Sequence, residues 1–237
     1  PSRLTLGSDG NFYGVTTNGG TGNGTVFRVA PSSRGNYTAC TISTIVQFTG
    51  PAATITAAEG RYPKGPLAER NESGTARMYG VVAESGGAGA VTGRVFCFKI
   101  PAGPGAISPE NIGRLTSVGT LPEAGLVSSP DGNLYGTVSR SPGGSGRGGV
   151  YLIDNHSAIV PIHDFGTDAG SIGSSPNTPV LVGSDGYLYG CSSANSGTVW
   201  RINSESGEAE RIHGFTGGNG EDATGLVQQP DGSIWGL

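Results

Sequence analysis

The chain has 237 residues and a formal net charge of −4, and only 14% of its residues are charged, against roughly 25% in a typical globular domain. This weak negative balance gives no reason to expect nucleic acid as a partner, and no run of about 18 apolar residues is present to span a membrane. Glycine and proline are abundant (44 and 15 residues). Because valine, isoleucine, leucine and aromatic residues recur periodically, the chain is nevertheless predicted to be a loop-rich, folded all-β protein.

The N-terminal part of the chain opens on a stretch that occurs five times. The copies occupy residues 7–14, 72–80, 129–136, 183–190 and 229–236, and the second copy is degraded. Where the stretch reads Pro-Asp-Gly it is a turn sequence, because proline presets a turn dihedral, aspartate bonds its own backbone and glycine accepts a positive φ. We therefore interpret the repeated aspartate as a turn residue rather than as a catalytic or calcium-binding group.

Each turn leads into an apolar residue, an aromatic residue and a glycine. The apolar position holds Phe12, Met78, Leu134, Leu188 and Ile234, and the aromatic position holds Tyr13, Tyr79, Tyr135, Tyr189 and Trp235. Because neighbouring residues of a strand point to opposite faces, two large side chains in succession predict a strand that is buried on both faces. The repeated glycine predicts a close approach of backbones at that position.

Three further β-rich segments follow each turn in a fixed order. The first lies behind a glycine-rich loop (residues 24–27, 93–96, 149–151 and 197–200), the second comes next (residues 45–48, 115–118, 162–165 and 212–215), and the third precedes the following turn (residues 65–67, 125–127, 179–182 and 225–227). Four short strands in each repeat are typical of a β-propeller blade. We expect a single β-propeller over residues 1–237, with repeats at about 1–64, 65–123, 124–178 and 179–223 and a partial fifth at 224–237.

The two ends of the chain carry the same portion of the repeat. Residues 4–15 and residues 225–237 both contain the turn and the aromatic strand, so neither end supplies what the other lacks. Since propellers commonly close with about 4 to 8 blades, we expect these four full repeats and the start of a fifth to be part of a larger ring. Further blades or another chain would complete it.

The order of the motifs resembles that of the GloVer tandem repeat. The shared elements are a leucine, Ser-Asp-Gly-x-Leu-Tyr-Gly (residues 184–190), a glycine-rich loop, Gly-Thr-Val-Phe (residues 24–27), Ile-His-x-Phe (residues 162–165 and 212–215) and a proline before the next leucine. The resemblance covers essentially the whole chain, and the second repeat departs from it most, at residues 71–77. It implies a propeller-like β-fold in a secreted or surface protein, and it implies no enzymatic activity.

Aromatic residues outside the core pattern are the candidate binding residues. Tyr187 occupies a turn position that is Asn or Ser in other copies of the repeat, so we expect its ring to be exposed and able to stack on a sugar. Tyr37 and Tyr62 lie in loop-like surroundings and are candidates for the same reason.

The other polar residues suggest no complete catalytic or metal site. His163 and His213 share one position of the repeat, and we expect such a histidine to bond a backbone carbonyl rather than a zinc ion. Carboxylates in or just after equivalent strands could meet on one face, as a glycosidase pair would; they are Asp164, Asp168, Glu221 and Asp222.

Cysteines and sequons add little to the functional assignment. Cys40, Cys97 and Cys191 are not spaced as metal ligands, and Cys97 fits a buried strand. We expect neither a metal nor a cofactor. Four Asn-x-Ser/Thr sequons, which would permit N-glycosylation of a secreted eukaryotic protein, begin at Asn23, Asn36, Asn71 and Asn155.

These patterns predict an extracellular binding or structural repeat module. Its partner would be a glycan or a protein, contacted through the variable loops at one end of the propeller. The alternative is an enzyme, a polysaccharide lyase or glycosidase with a loop-borne site at the mouth of the central channel. A cluster of histidine, arginine, tyrosine and carboxylate groups with shifted pKa values would favour the enzyme.

Overall fold

A computed structural model describes residues 3–33, 36–50, 60–85, 92–103, 105–141, 146–167, 172–193, 196–218, 220 and 223–237. The chain divides into two compact units, Pro1–Arg114 and Leu115–Leu237. Both units are built from antiparallel β-sheets, which confirms the all-β, propeller-type architecture predicted from the repeats. No helix in the described ranges is long and apolar enough to cross a membrane.

The first unit contains two four-stranded sheets in which the strands follow one another in chain order. Sheet one consists of β1 (Thr5–Leu6), β2 (Phe12–Thr16), β3 (Thr25–Ser33) and β4 (Asn36–Gln47). Sheet two consists of β5 (Arg61–Glu72), β6 (Thr75–Ser85), β7 (Thr92–Lys99) and β8 (Glu110–Arg114). Each pair of neighbours is joined by an antiparallel ladder, as in the blade of a propeller.

The second unit contains two further four-stranded sheets and a two-stranded one. Sheet three consists of β9 (Val127–Ser128), β10 (Leu134–Val138), β11 (Gly149–Ile153) and β12 (Ile159–Asp164). Sheet four consists of β13 (Leu181–Val182), β14 (Tyr187–Ser192), β15 (Thr198–Asn203) and β16 (Ala209–Gly214). Sheet five pairs β17 (Leu226–Gln228) with β18 (Ile234–Gly236).

One predicted strand is wrong. Residues 115–118 were expected to form the last strand of the second repeat, but Leu115–Ser117 is a short 3₁₀-helix. The ladder between β7 and β8 ends at the pair Arg94 and Arg114, and the amides of Val118 and Gly119 both donate to the Leu115 carbonyl. Leu115 and Val118 are buried, so their apolar character reflects packing of this turn rather than a strand.

The repeated turn aspartate bonds its own backbone, as predicted. In the first, third, fourth and fifth copies its Oδ1 accepts the amide of the residue two positions later, at 2.9 to 3.2 Å. The glycine of the turn has a positive φ, for example +87° at Gly132, which glycine tolerates without a steric cost. The aspartate therefore shapes the turn that precedes the second strand of sheets one, three, four and five.

The same aspartate has a second partner that sequence reasoning missed. Its Oδ2 accepts the hydroxyl of the tyrosine four residues later, at 2.8 Å for Tyr13, 3.4 Å for Tyr135 and 2.6 Å for Tyr189. In the second repeat the hydroxyl of Tyr79 donates instead to Glu72. The buried tyrosine of the aromatic position thus ends at a carboxylate in each of the first four repeats, which satisfies its polar atom.

The aromatic position is core in four repeats and exposed in the fifth. Tyr13, Tyr79, Tyr135 and Tyr189 are all buried, but Trp235 is 65% exposed, so the prediction of a buried residue is wrong there. Trp235 lies on β18, whose sheet has two strands among the residues that the structure describes. In the described part of the chain its face of that sheet is not covered.

The repeated glycine makes room for an aromatic side chain from the third strand of its own sheet. A Cβ at Gly80 would lie 2.5 Å from Cζ of Phe96, and a Cβ at Gly190 would lie 2.3 Å from Cζ2 of Trp200. Such distances are far below van der Waals contact, so only glycine fits. The close approach predicted at this position is therefore between backbone and an aromatic ring rather than between two backbones.

All four complete sheets share an irregularity next to that aromatic residue. The register between third and fourth strands shifts between Val26 and Phe27 in sheet one, and at the equivalent residues of the other three sheets. A β-bulge of this kind increases the local twist of the outer strands.

Candidate functional site

The second unit contains a cavity of about 810 Å³ beside sheets four and five. Its lining combines apolar, aromatic, cationic and anionic groups, among them Tyr189, Val199, Arg201, Glu210, Arg211, Ile212, His213, Phe215, Leu226, Ile234 and Gly236. A concave surface with a few polar groups is the usual form of a binding site.

The ladders of sheet four place a charged pair in the cavity wall. Arg201 on β15 stands opposite Glu210 on β16, and its Nε and Nη2 donate to Oε2 of Glu210 at 2.9 and 2.7 Å. This hydrogen bond is the main cause that raises the pKa of Arg201. Both side chains remain partly exposed, at 37% and 61%, so the pair can contact a ligand and contributes little to stability.

Arg201 also contacts Tyr187, the principal candidate from the sequence. Its guanidinium carbon lies 4.8 Å from the centre of the Tyr187 ring, which is within the range of a cation–π contact. Tyr187 is half-buried, and it belongs to the strand that also supplies Tyr189 to the cavity wall. The arrangement provides an aromatic ring, a cation and a carboxylate on neighbouring strands.

Tyr189 and Asp185 hold each other in their ordinary protonation states. Burial and the hydrogen bond to Asp185 raise the pKa of Tyr189. The hydrogen bond from Tyr189 lowers the pKa of Asp185. At neutral pH the pair is a neutral hydroxyl that donates to an ionised carboxylate, so neither group is poised to exchange a proton during catalysis.

His163 bonds a backbone carbonyl, as the sequence predicted. Its Nδ1 donates to the carbonyl of Gly207 at 3.0 Å, and its ring makes an edge-to-face contact with Phe165 at 5.1 Å between centroids. The ring of His213 makes the same edge-to-face contact with Phe215, at 5.0 Å between centroids. His213 and Phe215 both line the cavity. Within the described residues, no group of three or more His, Cys, Asp or Glu side chains could hold a metal ion.

The other two tyrosine candidates lie in the first unit. Tyr62 is half-buried on β5, with φ of +58°, an amide that donates to the Asn23 carbonyl at 3.0 Å and the Arg61 guanidinium 5.3 Å from its ring centre. Tyr37 lies on β4, but its side chain is outside the described part of the structure. Their proposed contacts with a ligand remain predictions.

Only one of the four candidate carboxylates lies within the described residues. Asp164 accepts hydrogen bonds from the Ser141 hydroxyl at 2.5 Å and from the Gly166 amide at 2.7 Å. These contacts give it a structural role at the end of β12. Asp168, Glu221 and Asp222 lie outside the described ranges.

Sequence reasoning did not find the cavity, although the repeats contained a signal. The first four repeats each have a third-strand aromatic residue, Phe27, Phe96, Tyr151 or Trp200, that packs against the repeated glycine of the same repeat. The fifth copy of the glycine, Gly236, lines the cavity, and a Cβ there would have no aromatic ring within 4 Å. The repeated glycine was therefore the signal that marked this wall of the cavity.

Comparison with known proteins supports the fold. No protein-family model matches the sequence, and none of the curated proteins is similar to it. Among solved structures, an α-L-arabinofuranosidase from Lactobacillus brevis is similar with a TM-score of 0.53 and 13% identity, over 97% of this chain and 79% of that one. An extracellular domain assigned to a one-component system of B. thetaiotaomicron is similar with a TM-score of 0.53 and 12% identity, over 99% of this chain and 28% of that one.

At these identities the likeness shows a shared fold alone. The chain is an all-β protein of the propeller class, a fold that it shares with a carbohydrate-active enzyme and with a sensor domain. The resemblance to the GloVer repeat stays an expectation from the sequence, because no family model matches.

Proposed function

We propose that this chain is an extracellular binding module and that its ligand enters the cavity beside sheets four and five. The observation that carries the proposal is the cavity itself, where Tyr189, Phe215 and the pair Arg201 and Glu210 line one concave surface. Aromatic and arginine side chains are the residues that most often dominate binding energy at an interface.

Binding is supported by the pair Arg201 and Glu210, because both side chains stay partly exposed in the cavity wall and can contact a ligand. The alternative is an enzyme, a polysaccharide lyase or glycosidase. It is favoured by the cluster of Tyr189, Arg201, Glu210 and His213 in one cavity, where the pKa values of Tyr189 and Arg201 are raised, and by a fold shared with an α-L-arabinofuranosidase.

Titration with two classes of probe tests the proposal. We would measure the binding of oligosaccharides from a panel of polysaccharides and of extended peptides by calorimetry, and analyse the same mixtures for cleaved products. A Gly236→Trp variant, whose indole would enter the cavity from β18, should weaken binding at least about 10-fold. A Gly218→Ala variant is the control, because a Cβ at Gly218 meets nothing within 4 Å.

Three results would contradict the proposed function. One is the absence of binding by either probe class to the unmodified chain. A second is binding that Gly236→Trp leaves unchanged, which would place the ligand elsewhere. The third is turnover of an oligosaccharide, which would favour the glycosidase.

A further inference from the structure

β4 is an edge strand, and it differs from the strands that hold the same place in the other complete sheets. The fourth strand lies at an edge in every complete sheet, so this edge is a property of the repeat. β4 has 12 residues, whereas β8, β12 and β16 have five or six. In the described ranges β4 pairs with β3 alone, and the other side of so long a strand is a template for pairing with another chain.

The other fourth strands carry groups that discourage such pairing. β8 contains Glu110 and Arg114, β12 contains Pro161, and β16 contains Glu210 and Arg211. Charged side chains, proline and short length are the means by which natural edge strands avoid adding a further strand. β4 has the sequence NYTACTISTIVQ, without a charged residue or a proline, so its edge has none of these protections.

The backbone of β4 directs hydrogen-bonding groups away from β3 at alternate residues. Cys40 stands opposite Pro31 in the ladder, and proline has no N–H, so this pair cannot exchange two hydrogen bonds. The amide and carbonyl of Cys40 therefore point away from β3. Those of Ile42 and Thr44 point the same way, because the ladder is regular from Cys40 to Thr44.

Sheet three shows the same backbone direction in its fourth strand. Pro161 of β12 stands opposite Tyr151, as Thr44 of β4 stands opposite Phe27. A proline is accepted in an edge strand where its nitrogen points away from the sheet. β4 thus keeps, at Thr44, the outward amide that β12 lacks at the equivalent position.

Ile42 lies in the middle of the regular segment and is 69% exposed. Its equivalent in sheet three is Ile159, which stands opposite Ile153 as Ile42 stands opposite Val29, and Ile159 is half-buried. Covering the Ile42 side chain with another apolar group would remove apolar surface from water, which favours association.

The hairpin of β3 and β4 also extends beyond the rest of sheet one. The ladder between β2 and β3 ends at the pair Phe12 and Val29, so residues 30–33 of β3 pair with β4 alone. A two-stranded ribbon is marginally stable in water unless a further strand or surface supports it. A strand added to β4 would supply that support.

We infer that two copies of this chain associate through antiparallel pairing of their β4 strands. A two-fold axis beside Ile42 places the two Ile42 side chains opposite each other, with Cys40 of each copy opposite Thr44 of the other. The outward amides and carbonyls of these residues bond across the axis. The two ribbons become one four-stranded antiparallel sheet.

The composition of β4 makes a second copy the partner that fits. Across a two-fold axis each residue of β4 faces another residue of β4, so a charge on this strand would bring like charges close together. β4 has no charge, and its facing pairs are favourable in an antiparallel sheet: Ile42 with Ile42, and Thr41 with Ser43. A contact of this symmetry is complete with two copies.

Sedimentation equilibrium of the 237-residue chain tests the association. We expect a reversible dimer, with twice the 23.8 kDa mass of the chain, whose fraction rises with protein concentration. The amides of Ile42 and Thr44 should exchange hydrogen more slowly in the dimer than in the monomer. The amide of Ile159, at the equivalent edge of sheet three, should exchange at the same rate in both.

Two variants alter the edge and leave the core of the sheet unchanged. Ile42→Lys places two ammonium groups opposite each other and should weaken the dimer at least about 10-fold. Thr44→Pro introduces the proline that β12 carries at the equivalent position, and it should weaken the dimer to a similar extent because the outward amide is lost. Val160→Lys is the control, since Val160 is an exposed apolar residue on another fourth strand, and it should leave the dimer unchanged.

Any of three results would overturn the inference, provided that circular dichroism shows each variant to be folded. The first is a chain that stays monomeric at its highest soluble concentration. The second is a dimer that Ile42→Lys or Thr44→Pro leaves intact, since it would form through another surface. The third is slow exchange of the Ile42 and Thr44 amides in the monomer, which would mean that other residues of the chain cover this edge. Because β4 belongs to the first unit and the cavity to the second, failure of the dimer would leave the proposed function standing.

Discussion

Gly190→Ala is the substitution that most directly tests the packing between glycine and aromatic ring. The added Cβ would lie 2.3 Å from Cζ2, 2.4 Å from Cη2 and 3.0 Å from Cε2 of Trp200. The ring cannot move away freely, because its Nε1 donates to Ser192 Oγ at 3.0 Å and its edge packs against Phe165. We expect the free energy of unfolding to fall by about 1 to 3 kcal/mol, the usual cost of overpacking a core.

Urea denaturation measured by circular dichroism gives that free energy. A loss of this size should lower the melting temperature by about 2 to 4 °C for each kcal/mol in a chain of this length. Gly218→Ala provides the control and should change the free energy by less than about 0.5 kcal/mol, as exposed substitutions do.

A double-mutant cycle then identifies the cause. Trp200→Ala alone should cost about 3 to 5 kcal/mol, and Gly190→Ala in that background should cost little, because the ring with which it collides is gone. The reasoning would be refuted if the two substitutions were additive to within about 0.5 kcal/mol, which is the behaviour of independent sites.

Three further predictions concern the tyrosines. Tyr135→Ala should cost about 3 to 5 kcal/mol in the same titration; a cost below about 1 kcal/mol would show that this position is not core. The pKa of Asp185 is lowered in the folded state by the hydrogen bond from Tyr189, so the stability that this contributes is complete at neutral pH and is lost as the pH falls below about 4. Tyr189→Phe should therefore flatten the acid limb of a plot of urea midpoint against pH, and an unaltered limb would contradict the role of this bond. If a glycan binds, Tyr187→Ala should weaken binding by about 1 kcal/mol or more with an unchanged circular dichroism spectrum; equal affinity in calorimetry would remove Tyr187 from the site.

The sheets could be predicted from the sequence because the same turn residues and the same order of apolar and aromatic residues recur in each repeat. Turn chemistry at Asp131 and Gly132 fixes where a strand begins, and the successive large residues Leu134 and Tyr135 show that both faces are covered. Because the same weak signals recur in every repeat, together they make the prediction of the strands secure. The strand prediction is wrong at Leu115, where an apolar segment forms a 3₁₀-turn, because apolar composition alone does not distinguish a strand from a buried turn.

The candidate site was less accessible to sequence reasoning because it depends on contacts between distant segments. Arg201 and Glu210 become a pair only through the register of two strands, and Phe215 and Gly236 meet one cavity although 21 positions separate them in the chain. The bond between Tyr189 and Asp185 follows from how the turn directs two side chains. The spacing of four residues between an aspartate and a tyrosine does not by itself predict that their side chains form a hydrogen bond.

The carboxylate that accepts the hydroxyl of Tyr13, Tyr79, Tyr135 and Tyr189 limits how these repeats can diverge. In the second repeat the acid has moved from the turn to the end of β5, where Glu72 accepts from both Tyr79 and Arg70. The guanidinium of Arg70 also stacks 4.5 Å above the ring of Tyr79. The turn in that repeat, Ser73 and Gly74, is closed by Asn71, whose Oδ1 accepts the Gly74 amide at 2.9 Å. A repeat can therefore change the two residues at its hairpin tip as long as an acid at the base of the hairpin still accepts the tyrosine hydroxyl, and foreign tips could be grafted between Glu72 and Thr75 by the same rule.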